Sequence, residues 1–213
     1  MDLTSSDYAT LETLKSARCI ADYAVGMGIN TETKETRSIT DHLGAVLADA
    51  ALQAGLNYRS VVKPRVERIL HQYPDAADMA GLQKVLENRS VAEFLRWKHP
   101  DKIGRFTALQ ELLQSERLQT VADLRRWLMS GNSRNALLDI SGVGPKTVDY
   151  LCCLVGIDCI PVDRHVKLFA KNAGIKARDY EGIRLAVSFA ADLLGISRRT
   201  FDAWLWKLAS MNT

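Results

Sequence analysis

Two residues stand where ionisable side chains do useful chemistry, Lys146 and Asp163. Lys146 follows Ser141-Gly142-Val143-Gly144-Pro145, a stretch that cannot continue a helix. The two glycines supply backbone freedom, and Pro145 suits the first position of a new helix, where a missing N–H costs nothing. Residues 135–140 contribute the apolar end of a helix before this turn, through Ala136, Leu137, Leu138 and Ile140. Residues 146–155 read as the helix after it, with Val148, Leu151, Cys152 and Val155 at helical spacing. A hairpin of this kind aims the backbone N–H groups of Gly142, Gly144 and Lys146 outward from a helix N-terminus. That is an anion site, and a polynucleotide phosphate is the obvious anion. The Lys146 side chain then has two uses. It is one more phosphate contact, or it is an amine whose pKa is lowered by the helix dipole and by partial desolvation in a cleft. Asp163 follows Pro161-Val162 and precedes another helical stretch, which is an N-cap position.

The run LLDISGVGPKT, followed by a loop ending in Pro161-Val162-Asp163, resembles the helix-hairpin-helix DNA glycosylases, the superfamily of endonuclease III and the 8-oxoguanine glycosylases. The resemblance is close over residues 133–174 and looser over 38–132. Its specificity comes from hairpin, lysine, spacing and the VD motif together, because GxG alone is a weak signal. It implies a DNA phosphate held by the hairpin through Gly142 and Gly144, with Lys146 as the nucleophile of a bifunctional enzyme. Attack on the sugar C1′ displaces the base, leaves a Schiff base and permits the β-elimination that nicks the strand. Asp163 would be the essential carboxylate, stabilising the oxocarbenium-like sugar as the base leaves and helping to activate Lys146 or water. The resemblance also implies a monovalent cation on the main-chain carbonyls of Leu138, Ile140 and Val143, bridging to a DNA phosphate.

Extruding a base requires a filler for the gap in the stack and a pocket for the base. Gln53, in the turn ALQAG, resembles the inserted glutamine of endonuclease III, although Leu56 stands where relatives often carry an acid. Asn57 and Tyr58 would reach the same groove. Lys98, Lys102 and Arg105 form a candidate phosphate-facing edge, and Trp97 either lines the base pocket or is half-buried core. His165 and Arg164, directly after Asp163, are placed to touch the DNA backbone, though a lone histidine is more often structural.

These residues need a helical scaffold to position them. Helices are expected over residues 7–25, capped by Ser5 or Ser6 with Leu11, Leu14, Ala17, Ala21 and Ala24 as the apolar face, and from about Thr40-Asp41 through Leu43, Val46, Leu47 and Ala50. More follow over 58–73, 78–87, 90–97, 102–115 and 120–129, with His99-Pro100-Asp101 as a break. Beyond the hairpin the expected helices are Arg164–Asn172, 180–194 and 198–209. Residues 30–37 are polar and read as a linker. No strand pair or internal repeat is evident, so the fold class is all-α. The resemblance divides the chain into a helical barrel domain, 38–155, ending in the hairpin, and a second domain of 1–37 with 156–213. The active cleft would lie between them.

Composition agrees with this and excludes little. Of 213 residues, 47% are apolar and 25% charged, an ordinary soluble balance. A net charge of +3 suits a nucleic-acid partner but equally a neutral enzyme. No stretch approaches the roughly 20 apolar residues of a membrane span, and the N-terminus lacks a signal peptide's pattern, so a cytoplasmic protein is expected, nucleoid-associated if bacterial; a monomer without a membrane partner is expected as well. Cys19, Cys152, Cys153 and Cys159 show no metal-binding spacing and read as buried thiols. Endonuclease III carries an iron–sulfur cluster on four cysteines near its C-terminus. No cysteine follows Cys159 here, so the expected relative is cluster-free and requires no cofactor beyond the possible hairpin cation. The expected function is excision of a damaged, oxidised base from double-stranded DNA with abasic-site lyase activity. The alternatives are a monofunctional glycosylase and a non-catalytic helix-hairpin-helix DNA-binding module.

Overall fold

The computed structural model describes residues 5–32, 39–176 and 179–211. Residues 33–37 of the expected linker lie outside that description. All regular structure among the described residues is helical. In chain order the α-helices are α1 Ser5–Gly26, α2 Leu43–Leu52, α3 Lys63–Gln72, α4 Met79–Glu87, α5 Val91–Leu95 and α6 Pro100–Ser115. They continue as α7 Val121–Leu128, α8 Ser133–Leu138, α9 Pro145–Leu154, α10 Arg164–Asn172, α11 Tyr180–Leu193 and α12 Arg198–Met211. None of the described helices is long and apolar enough to cross a membrane. The chain divides into two compact units, Ser38–Ile157 and the pair Met1–Arg37 with Asp158–Thr213.

The Ser38–Ile157 unit is built around α2. Its sequence, LGAVLADAAL, is apolar or small on every side except at Asp49, and all ten residues are buried. A helix apolar all round must be enclosed, and α3, α4, α6 and α9 pack against it. Phe94 and Phe106 fill the core beside it, ring centroids 5.5 Å apart. The expected start at Thr40-Asp41 moves to His42, whose Nδ1 accepts from the Ala45 N–H at 3.1 Å. The ring's Nε2 lies 2.8 Å from the Tyr73 carbonyl and so carries the proton. One imidazole thus caps α2 and satisfies a neighbouring helix end.

Two further differences bear on the site. The expected single helix over 58–73 is a π-helical turn, Tyr58–Val62, capped by Asn57 and running into α3 with Pro64 in its first turn. The break expected at His99-Pro100-Asp101 lies at residues 96–99 instead: His99 ends it as the cap of α6, accepting from the Asp101 N–H, and Pro100 is the first residue of α6. Lys102 and Arg105 therefore sit in the opening turns of a long helix that packs on α2.

In the other unit, α1 packs on α11. Ala17, Ile20, Ala21 and Ala24 of α1 are buried, whereas Leu11 and Leu14 of the expected apolar stripe are 41% and 45% exposed. Ser5 and Ser6 lie inside α1 rather than before it. Cys19 falls off the buried face and is exposed, and of the remaining cysteines Cys153 is buried while Cys152 and Cys159 are half-buried. Phe169 on α10 meets Phe201 and Trp204 of α12 edge-on, at 6.2 and 5.6 Å between centroids.

Candidate functional site

The turn between α8 and α9 is closed by the Val143 N–H donating to the Ile140 carbonyl at 2.9 Å. Gly142 occupies its third position with φ +77°, as a type II turn requires. A Cβ there would also meet the end of the Arg105 guanidinium, which would have to shift, so it is the backbone conformation that demands glycine at 142. Gly144 is a different case. It caps α9 in an extended conformation open to any residue (φ −107°, ψ 178°), and a Cβ on it would meet nothing within 4 Å. Its carbonyl accepts from Thr147 and Val148 at 2.8 and 3.2 Å. Among the described residues no backbone acceptor pairs with the N–H of Gly142 or of Gly144. The two helices are pinned together behind the turn by Arg134 and Asp149, 2.7 Å apart. A bare N–H at the start of a ten-residue helix, with open space where a side chain would stand, is suited to an anion.

Lys146 lies in the first turn of α9 and is half-buried. Its Nζ donates to Oε1 of Gln53 at 2.8 Å, and Gln53 Nε2 donates to Oγ1 of Thr147 at 3.4 Å. Gln53 is only 7% exposed. The residue expected to be inserted into the DNA stack is thus held between α2 and α9 in this structure. The N-terminus of α9 docks on the C-terminus of α2, and both ends of the carboxamide are taken up there. Lys146 and Gln53, 93 positions apart in sequence, instead form one polar contact.

Lys102 and Arg105 are brought to the same place. Lys102 Nζ donates to the carbonyls of Leu52 and Ala54 at 3.2 and 2.5 Å, and Arg105 Nη1 to that of Ala51 at 3.1 Å. These are the carbonyls left without partners where α2 ends, and cations there also suit the helix dipole. Of the expected phosphate-facing edge, Lys102 and Arg105 are thus half-buried and hydrogen-bonded to main-chain carbonyls at the end of α2. Burial drives the Lys102 pKa down to about 8, with Arg105 and Lys146 pushing the same way and Asp101 opposing. Burial likewise lowers Arg105, against the pull of Asp101. Lys98 stays exposed.

One group at this site was missed in the sequence. Asp49, 3% exposed, accepts from the Tyr150 hydroxyl at 2.9 Å and from that of Tyr58 at 3.4 Å. Asp49 stands one turn before Gln53 on α2, and Tyr150 one turn after Lys146 on α9. The α2–α9 contact thus carries two polar rungs, Lys146 on Gln53 and Tyr150 on Asp49. The available signal was a single acid inside an otherwise apolar helix.

Trp97 is half-buried against the core of the same unit, with the Arg65 guanidinium 5.1 Å above its ring, so its surroundings are those of a packing residue. Of the three candidate cation ligands, the Ile140 carbonyl accepts the turn's own hydrogen bond and keeps one lone pair. Leu138 ends α8 just before this turn, and Val143 closes it. Among the described residues no group of three or more His, Cys, Asp or Glu is placed to hold a metal ion.

In the other unit Asp163 caps α10, its Oδ1 accepting from the N–H groups of His165 and Val166 at 2.8 and 3.0 Å. The preceding Val162 N–H donates to the Tyr180 hydroxyl at 3.2 Å, which fixes the loop entering the cap. His165 is half-buried, its Nε2 accepting from Arg164 Nε at 3.2 Å and its ring 5.8 Å from that of Trp206.

Compared with protein-family models and with curated proteins, the chain matches none.

Proposed function

We propose that this protein is a DNA glycosylase with abasic-site lyase activity, acting on a damaged base in double-stranded DNA. The observation that carries the proposal is the placement of Lys146: a half-buried amine in the first turn of α9, directly after a glycine turn whose N–H groups suit a phosphate. Such a turn grips the DNA backbone without reading sequence. The amine then attacks C1′ of the nucleotide, and the bond to the base breaks with its electron pair leaving on the base nitrogen, which takes up a proton. Opening of the sugar gives an iminium ion. Loss of a C2′ proton breaks the C3′–O bond and nicks the strand, and water releases the lysine. The resemblance assigns to Asp163 the carboxylate for the developing positive charge on the sugar, and in its own unit Asp163 is held still as the cap of α10. A cation on the carbonyls of Leu138, Ile140 and Val143 would strengthen the phosphate grip of the turn; no step depends on it.

Product analysis tests the proposal. The bifunctional enzyme converts a lesion-bearing duplex to a nicked strand, a monofunctional glycosylase leaves an abasic site, and a passive binding module leaves the DNA intact. Lys146→Gln should abolish nicking and retain DNA binding; a variant that still nicks at the wild-type rate removes Lys146 from the mechanism.

A further inference from the structure

We propose that Arg68, Tyr73 and Arg89 form a binding site for a phosphate group, at the end of α2 opposite to Gln53. Nothing in this site depends on Lys146 being a nucleophile. Its anchor is Tyr73, which follows α3 and is only 8% exposed. The Tyr73 ring packs on Phe94 with centroids 5.2 Å apart, and the Tyr73 carbonyl accepts from the His42 ring that caps α2. A ten-residue helix spans about 15 Å, so α2 separates this place from the turn between α8 and α9.

Two guanidinium groups converge on the Tyr73 ring. The Cζ atoms of Arg68 and Arg89 stand 5.3 and 5.1 Å from its centroid, and Nη1 of each donates to the same hydroxyl oxygen, at 3.3 and 3.4 Å. The phenol's own O–H is a further donor, and among the described residues it has no acceptor. Arg68 is half-buried and fixed, donating to the Gln72 side chain at 2.8 Å and to the Phe94 carbonyl. Arg89 is exposed and makes no other hydrogen bond among the described residues. Neither guanidinium has an ion-pair partner among the described residues. Like charges gathered around one neutral hydroxyl repel, and a partly buried cation without a carboxylate is costly. A bound anion removes both costs. The neighbouring acids are engaged elsewhere. Glu93 feels the charge of Arg89, but its carboxylate accepts from the N–H and the hydroxyl of Ser90. Glu67, one position before Arg68, lies 3.5 Å from Lys63. The donors suit phosphate better than a carboxylate. The forked guanidinium of Arg89 takes a pair of oxygens, and the phenol O–H needs another, which a phosphate has and a carboxylate lacks.

The test is a titration of the full chain with sodium phosphate near neutral pH, at constant ionic strength made up with sodium chloride. Heteronuclear NMR reads the arginine Nε–H and the backbone N–H signals. Those of Arg68, Tyr73 and Arg89 should move together and saturate. Affinity should fall by about tenfold in Arg89→Gln and by roughly half that factor in Tyr73→Phe, and Arg89→Lys should recover part of the loss. Arg89 is exposed and Tyr73→Phe keeps the ring, so the remaining signals should stay those of the folded chain. Drift without saturation, or saturation that survives both Arg89→Gln and Tyr73→Phe, overturns the proposal. A short undamaged duplex added to the phosphate-saturated chain distinguishes the sources, and either result upholds the site. Displacement assigns the phosphate group to a nucleic-acid backbone, and simultaneous binding assigns it to free phosphate or a phosphorylated small molecule.

Discussion

Lys102 holds its proton less tightly in the native state than in the unfolded chain, at about 8 against an ordinary 10.5, chiefly because it is half-buried. Below pH 8 both states are protonated and the penalty is fully present. As the pH rises from 8 to 10.5 the native state gives up its proton first, the unfolded state binds more protons, and stability rises through that window. Urea midpoints should therefore show the wild type gaining on Lys102→Met between about pH 8 and 10; a constant difference would contradict the assignment. Asp49 makes a second prediction. Asp49→Ala removes an acceptor of the buried Tyr150 hydroxyl and weakens the α2–α9 contact, lowering stability by about 1–3 kcal/mol in denaturant unfolding. The sequence showed where Lys146 and Asp163 stand because both positions are set by local signals, a glycine turn and a cap. It did not show that Gln53 is buried or that Lys102 points inward. Those depend on which carbonyls α2 leaves bare and which helix arrives to meet them, and residues 49–54 and 102–150 come together only in the tertiary fold.

The element that most directly joins structure to function is the turn from α8 to α9, and its two glycines make opposite predictions. Gly142→Ala puts a side chain at φ +77° and into the Arg105 guanidinium, so it should cost roughly 1–3 kcal/mol of stability in urea unfolding. Gly144→Ala has an ordinary φ and open space, so stability should change by about 0.5 kcal/mol or less while DNA affinity falls, because the new methyl crowds the N–H beside it. Equal stability losses in the two variants would contradict this division. Helix boundaries were legible where the cap is a short side chain acting on its own turn, as at Thr120 and Asp163. They were not legible at His42 and His99, where an imidazole nitrogen does the capping. In His42 the tautomer that permits this is set by a distant carbonyl, that of Tyr73.

For the molecule as a whole, helical periodicity was enough to establish an all-α chain, and the all-helical structure of the described residues agrees with it. Electrostatics were less legible. A net charge of +3 says little about where cations are available, and two of those assigned to a phosphate edge are spent on α2. DNA affinity should still fall as salt rises, by about 0.9 in log K per log unit of salt for each phosphate engaged. With Lys102 and Arg105 turned inward, the slope should correspond to a few phosphates rather than many; a flat response would remove nucleic acid as the ligand.

Borohydride trapping on duplexes carrying 8-oxoguanine, thymine glycol, uracil or a bare abasic site reads directly whether Lys146 is a nucleophile on DNA. The wild type should form a covalent protein–DNA adduct that is lost in Lys146→Gln, with the best-trapped duplex identifying the lesion class. No adduct on any duplex, with binding intact, would contradict that role for Lys146.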